Sequence, residues 1–139
     1  MLRNIIMLTL VSASTLSAGV AAAIDTMYSG QTLYQGQQLE SANHCFRLAM
    51  QNDGNLVLYR NSNNQATWAS HTMNSGANRV VMQGDGNFVV YNSNGNAKWA
   101  SGTNNHRGAW ILIQNDGNLV IYSANSWNAI WASNTVTHC

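Results

Sequence analysis

Gln51-Asn52-Asp53-Gly54-Asn55-Leu56-Val57-Leu58-Tyr59 decides the fold, because the chain writes it three times. It returns as Gln83-Gly84-Asp85-Gly86-Asn87-Phe88-Val89-Val90-Tyr91 and as Gln114-Asn115-Asp116-Gly117-Asn118-Leu119-Val120-Ile121-Tyr122. The shared frame is Q-x-D-G-N-x-V-x-Y. The copies start at 51, 83 and 114, so they lie 32 and 31 residues apart. A period of that size marks an internal repeat of one supersecondary unit.

Each copy predicts a β-hairpin. An apolar run leads in (Leu48-Ala49-Met50, Val80-Val81-Met82, Ile111-Leu112-Ile113), Asp-Gly follows, and a second run rich in β-formers leads out. Parity selects the loop. A two-residue Asp-Gly loop would set Gln51 opposite Leu56 and mix polar with apolar on one face. A three-residue loop, Asn52 to Gly54, sets Gln51 opposite Asn55, Ala49 opposite Val57 and Arg47 opposite Tyr59. Phe46, Leu48, Met50, Leu56 and Leu58 then share the other face. Only this register separates the faces, since a one-residue slip inverts every side chain. It also puts glycine at the left-handed position of the turn, where a Cβ would be penalised.

The outer face so defined carries Gln, Asn, Val and Tyr, with Asp at the turn. Asp-Gly and Asn can be turn chemistry, and Val and Tyr can be strand formers. The turn needs neither Gln nor Tyr, yet both recur in all three copies. The set holds an anionic acceptor, two amides, a phenol and a small apolar patch. A sugar offers the matching set, with vicinal hydroxyls and a C–H face.

Three Q-x-D-x-N-x-V-x-Y motifs at this spacing resemble the monocot mannose-binding lectins, also called snowdrop-type or bulb-type lectins. Met27 to Leu33, extended through Leu39, resembles that family's opening strand. Trp68-Ala69-Ser70, Trp99-Ala100-Ser101 and Trp131-Ala132-Ser133 resemble its tryptophan strand. The resemblance implies an all-β fold, the β-prism II, with three four-stranded antiparallel sheets and pseudo-threefold symmetry. It implies that Trp68, Trp99 and Trp131 meet at the prism axis. For function it implies a non-catalytic lectin with three mannose sites. Asp53 and Asn55 would hold the axial 2-hydroxyl, Gln51 the 3-hydroxyl and Tyr59 the 4-hydroxyl, with Val57 on the ring carbons. The same roles would pass to Gln83, Asp85, Asn87, Val89 and Tyr91, and to Gln114, Asp116, Asn118, Val120 and Tyr122. A toxin-like or bacteriocin-like protein that uses the fold for surface targeting is the rival reading. A scaffold with silent sugar sites is another.

The rest of the chain fits a secreted binding module. Met1 to Ala23 reads as a signal peptide: Arg3 is the positive n-region, Ile5 to Val11 the apolar core and Ala21-Ala22-Ala23 the cleavage site. That leaves residues 24–139 as one domain. Without Arg3 it carries five basic and five acidic side chains, so no basic stripe invites nucleic acid. Three of the five acids are the motif aspartates, which leaves few carboxylates for acid–base catalysis. His44, His71, His106 and His138 are scattered, and each motif has one carboxylate, so neither a metal nor any other cofactor is expected.

Two cysteines in a secreted chain predict a disulfide. The bridge usual in the resembled family is missing, with Gly54 and Asn78 near its two places. Cys45 and Cys139 would pair instead, either within the chain or, because family C-terminal strands often cross to a partner, between the halves of a homodimer. Trp110 stands where the first two repeats have Arg47 and Arg79, on the parity of Gln114 and Tyr122. It reads equally as a sugar platform or an interface residue. Trp127 falls in the loop after Tyr122 and receives no place.

Overall fold

The computed structural model describes residues 23–139. The signal peptide expected over Met1 to Ala23 lies, Ala23 apart, outside the described residues. Among the described residues all regular structure is strand. Three short strands come first: β1 (Thr26–Met27), β2 (Thr32–Tyr34) and β3 (Gln38–Glu40). Each repeat then adds three: β4 (Phe46–Met50), β5 (Leu56–Arg60) and β6 (Gln65–Ala69); β7 (Ala77–Met82), β8 (Phe88–Asn92) and β9 (Ala97–Ala100); β10 (Trp110–Ile113), β11 (Leu119–Tyr122) and β12 (Ala129–Ala132).

These strands form three four-stranded antiparallel sheets, ordered β3-β4-β5-β6, β2-β7-β8-β9 and β1-β10-β11-β12. The opening segment therefore gives one strand to each sheet, in reverse order. β1 completes the last sheet, so the chain closes on itself. This distribution is invisible in the repeat, because β1 and β2 pair with strands far along the chain while only β3 pairs with its neighbour. Gly30 and Gly36 carry the chain from one sheet to the next at φ of 90° and 84°, a left-handed conformation that only glycine adopts freely.

The hairpin register is the one parity demands. Arg47 pairs with Tyr59, Ala49 with Val57 and Met50 with Leu56. The Gln51 N–H donates to the Asn55 carbonyl (2.9 Å), and Gly54 sits at φ 91°. Phe46, Leu48, Leu56, Leu58 and Leu39 are fully buried, as are their counterparts in the other sheets. The three inner faces make one apolar cluster.

Trp68, Trp99 and Trp131 meet edge-to-face at centroid distances of 5.2, 5.7 and 5.8 Å. Their quadrupoles favour this tilt over a parallel sandwich. Each is half-buried, and each faces an apolar residue of the motif strand: Leu58, Val90 and Ile121. A disulfide joins Cys45 at the head of β4 to Cys139, with Cα atoms 5.2 Å apart. Here the bridge is drawn within one chain.

Candidate functional site

The three motifs build three equivalent constellations on the outer faces. In the first, the Tyr59 hydroxyl donates to Gln51 Oε1. Gln51 Nε2 donates to both Asp53 oxygens, at 3.1 and 3.2 Å. Asp53 Oδ1 also accepts the Asn55 backbone N–H at 2.9 Å. Tyr91, Gln83 and Asp85 repeat the chain with Asn87. So do Tyr122, Gln114 and Asp116 with Asn118. The hydrogen bonds all run one way, from phenol through amide to carboxylate, and such a chain polarises along its length.

Several groups stay unspent. The aspartates are exposed and keep free lone pairs, each Gln amide keeps a second N–H, and each phenol oxygen can accept. A ligand with neighbouring hydroxyls can use all of these without breaking the chain.

The motif asparagines have a second task that parity cannot reveal. Asn55 Oδ1 accepts from Ser70 Oγ (3.3 Å) and the Thr72 N–H (3.1 Å). Thr72 Oγ1 in turn donates to the Gly54 carbonyl at 2.6 Å. Asn87 and Asn118 bind Ser101 with Thr103 and Ser133 with Thr135 in the same way. A Ser-x-Thr follows every Trp-Ala, so the signal was present in the sequence as part of the repeat. Each asparagine thus spends its carbonyl on the fold and leaves its N–H₂ group for another partner. The loop it secures presses on the Asp-Gly turn. A Cβ at Gly86 would lie 2.3 Å from the His106 carbonyl oxygen, so glycine is required there for space as well as for φ.

Val57, Val89 and Val120 retain only 3% of their surface. They form the floor between the polar groups and offer a ligand only an edge, a smaller apolar patch than the outer-face reading expected. Every sheet also shifts register at the motif tyrosine, between Leu58 and Tyr59, Val90 and Tyr91, and Ile121 and Tyr122. Such bulges re-aim a side chain.

The residue beside the tyrosine separates the copies. The Arg47 guanidinium lies 4.3 Å from the centre of the Tyr59 ring, and that of Arg79 lies 5.2 Å from Tyr91. In the third copy Trp110 takes this place, 5.1 Å from Tyr122. Trp127 stands edge-on to both, at 5.0 and 5.2 Å. The Tyr122 phenol is pushed above its ordinary pKa by burial first and by the Asp116 carboxylate second. It therefore stays protonated, and a donor, well past neutrality.

Among the described residues no three His, Cys, Asp or Glu side chains converge as metal ligands would. Nor is any helix long and apolar enough to cross a membrane.

No protein-family model matches the chain. Curculin-2 of Molineria latifolia is 37% identical over 81 residues, covering 58% of this chain and 48% of that protein. The chain spans about half the length of the curated relatives it matches. Among solved structures, the monomeric monocot mannose-binding lectins from Gastrodia elata superpose with a TM-score of 0.73 at 44% identity, covering 81% of this chain and 99% of theirs. The chain belongs to the monocot mannose-binding, or bulb-type, lectin family. Snowdrop (Galanthus nivalis) agglutinin, solved with methyl-α-D-mannoside, matches at 36% identity and a TM-score of 0.67, covering 81% of this chain and 98% of the agglutinin. A bulb-type lectin is a binding protein rather than an enzyme, which agrees with the scarcity of carboxylates outside the motifs. The β-prism II expected from the motif is the fold observed.

Proposed function

We propose that the protein is a secreted mannose-binding lectin with three sites, centred on Asp53, Asp85 and Asp116. The observation that carries this reading is the threefold Tyr→Gln→Asp hydrogen-bond chain, complete in every copy. A hydroxyl on mannose C2 donates to the aspartate and accepts from the asparagine N–H₂ group. The 3-hydroxyl accepts from the second glutamine N–H, and the 4-hydroxyl donates to the tyrosine oxygen. Val57, Val89 and Val120 meet the edge of the ring. An epimer that misplaces the axial hydroxyl leaves a desolvated partner unpaired, which is the basis of selectivity. The mannoside complex of the snowdrop relative supports the choice of sugar. The sequence pattern of residues 1–23 supports export.

Each site makes a few hydrogen bonds worth about 0.5–1.5 kcal/mol apiece, less the entropy of holding the sugar. Monosaccharide affinity is then roughly millimolar, near −4 kcal/mol. Avidity comes from three sites on one branched or clustered surface. The test is agglutination of mannan-coated beads by residues 24–139. Free mannose reverses it, galactose does not, and EDTA has no effect. Indifference to mannose overturns the specificity, and loss of binding in EDTA overturns the metal-free mechanism.

A further inference from the structure

The outer face of the third sheet holds something the other two lack. Leu112 pairs with Thr26 and Ile111 with Met27, so Tyr28 continues β1 alongside Trp110 on the ligand-facing side. The Tyr28 and Trp110 rings lie 6.3 Å apart and roughly parallel, at 29°. Trp127, from the β11–β12 loop, stands at 81° to Trp110. Together the three rings form a floor and a wall around a cleft of about 600 Å³. Asp25, Asn125 and Ser126 also line it. The rings are open to solvent: Trp127 is 73% exposed and Tyr28 53%.

From this geometry we propose that the cleft is a subsite for a second neutral pyranose, joined to the mannose held by Gln114, Asp116, Asn118 and Tyr122. The inference rests on the mannose reading of that third site. Four observations carry it. Trp110 and Leu112 line the cleft and pair across the strands with Tyr122 and Val120, so the cleft lies directly beside the constellation. Its walls are aromatic faces, whose negative quadrupole attracts the polarised C–H bonds on one side of a pyranose. Its polar members are a carboxylate, an amide and a hydroxyl, the set that takes sugar hydroxyls, and the carboxylate disfavours an anionic ligand. Its size is that of a small-ligand site. Sites one and two have Arg47 and Arg79 in the place of Trp110 and Asn64 and Gly95 in the place of Trp127, so even with Tyr34 beside Arg79 neither has an aromatic floor and wall. The third site therefore reads two sugars where its siblings read one.

The test isolates that site. In a protein carrying Asp53→Asn and Asp85→Asn, calorimetry measures methyl-α-mannoside and a panel of α-linked dimannosides. The best dimannoside is expected to bind about tenfold tighter than the monosaccharide. Adding Trp127→Ala should collapse that ratio toward one. A ratio unaffected by Trp127→Ala overturns the subsite. If methyl-α-mannoside fails to bind the double variant, the mannose reading is what fails. Glycan-array profiles of the otherwise native protein with and without Trp127→Ala then judge the cleft directly. Glycans lost from the variant sustain it, and identical profiles overturn it. A concentration-dependent dimer that disappears with Trp127→Ala would assign the cleft to a second copy and also overturn it.

Discussion

Trp68, Trp99 and Trp131 at the axis, and Tyr28, Trp110 and Trp127 on the third outer face, are aromatic trios of opposite origin. The axial trio comes from the repeat: one tryptophan per unit, each on the inward parity, each meeting the other two. The outer trio comes from departures from the repeat, and two of its members are more than half exposed. The repeat carries what all three sheets need to close a prism. Departures from it carry what makes one sheet unlike the others. Aromatic content alone would not have told the two groups apart, but parity and period do.

The disulfide is the exception that tests this division hardest. Cys45 breaks the repeat, standing where the other units have Ala77 and Gly108. Yet its role is structural, since it holds the chain end to the first sheet across a separation of 94 residues. Closing a loop of that length stabilises by about 4–5 kcal/mol in the chain-entropy account. The Cys45→Ala, Cys139→Ala double variant should lose about that much in denaturant unfolding. A loss below about 1 kcal/mol would mean that strand pairing alone secures the C-terminus.

Next in size is the contrast between the trios themselves. Trp99→Ala opens space at the axis against Trp68, Trp131 and Phe88. It should cost about 3 kcal/mol and lower Tm on the order of 10 °C. Trp127→Ala removes an exposed side chain and should stay within about 0.5 kcal/mol of the parent. Calorimetric scans of both variants decide the point. Equal losses would collapse the distinction between axis and outer face.

Much of this was legible in the sequence, and the parts that were not share a cause. The hairpin register followed from parity at Gln51, Asn55 and Val57. The tryptophan axis followed from three Trp-Ala-Ser copies and the family they resemble. β3 pairs with its neighbour β4, but β2 and β1 find their partners, β7 and β10, far along the chain, and no local pattern announces such pairings. The double duty of Asn55, Asn87 and Asn118 hid because a motif reading assigns each side chain one task. Asp85 shows the same thing. Its side chain looks like a bare turn residue, yet it accepts from both Asn87 N–H and Gln83 Nε2. Trp127 was unplaceable because its loop recurs in every repeat but carries an aromatic only in the third, where the others have Asn64 and Gly95.

The motif aspartate gives a smaller and cleaner test of what the repeat contributes. Asp85→Asn keeps an oxygen for the Asn87 N–H, so the turn survives and Tm should move by no more than a few degrees. It removes the charge that strengthens a hydrogen bond to a sugar hydroxyl. A charged bond is worth about 1 kcal/mol more than a neutral one, so affinity at that site should fall about fivefold. Calorimetric titration with methyl-α-mannoside would show one weakened site beside two intact ones. A drop in Tm comparable to that of Trp99→Ala would make the aspartate structural and blur the line between frame and site.

The smallest effect is the pH response of Tyr122, which reads the outer trio from within the third constellation. Burial raises its phenol pKa, and the Asp116 carboxylate raises it further. The unfolded chain, at the ordinary tyrosine value, loses this proton first. Between the ordinary and the raised pKa the native state therefore holds more protons than the unfolded state, and stability falls as pH rises. Below that window both states are protonated and the contribution is fully present. Tyr122→Phe removes the titrating group, so the parent should lose stability relative to this variant across that alkaline window and not below it. Trp110 and Trp127 both pack against this ring. Trp127→Ala should accordingly move the phenol back toward the ordinary value, measured by its ultraviolet titration. If Tyr122 titrates at the ordinary value in the parent, the trio does not shield it, and the third site is electrostatically no different from a tyrosine in water.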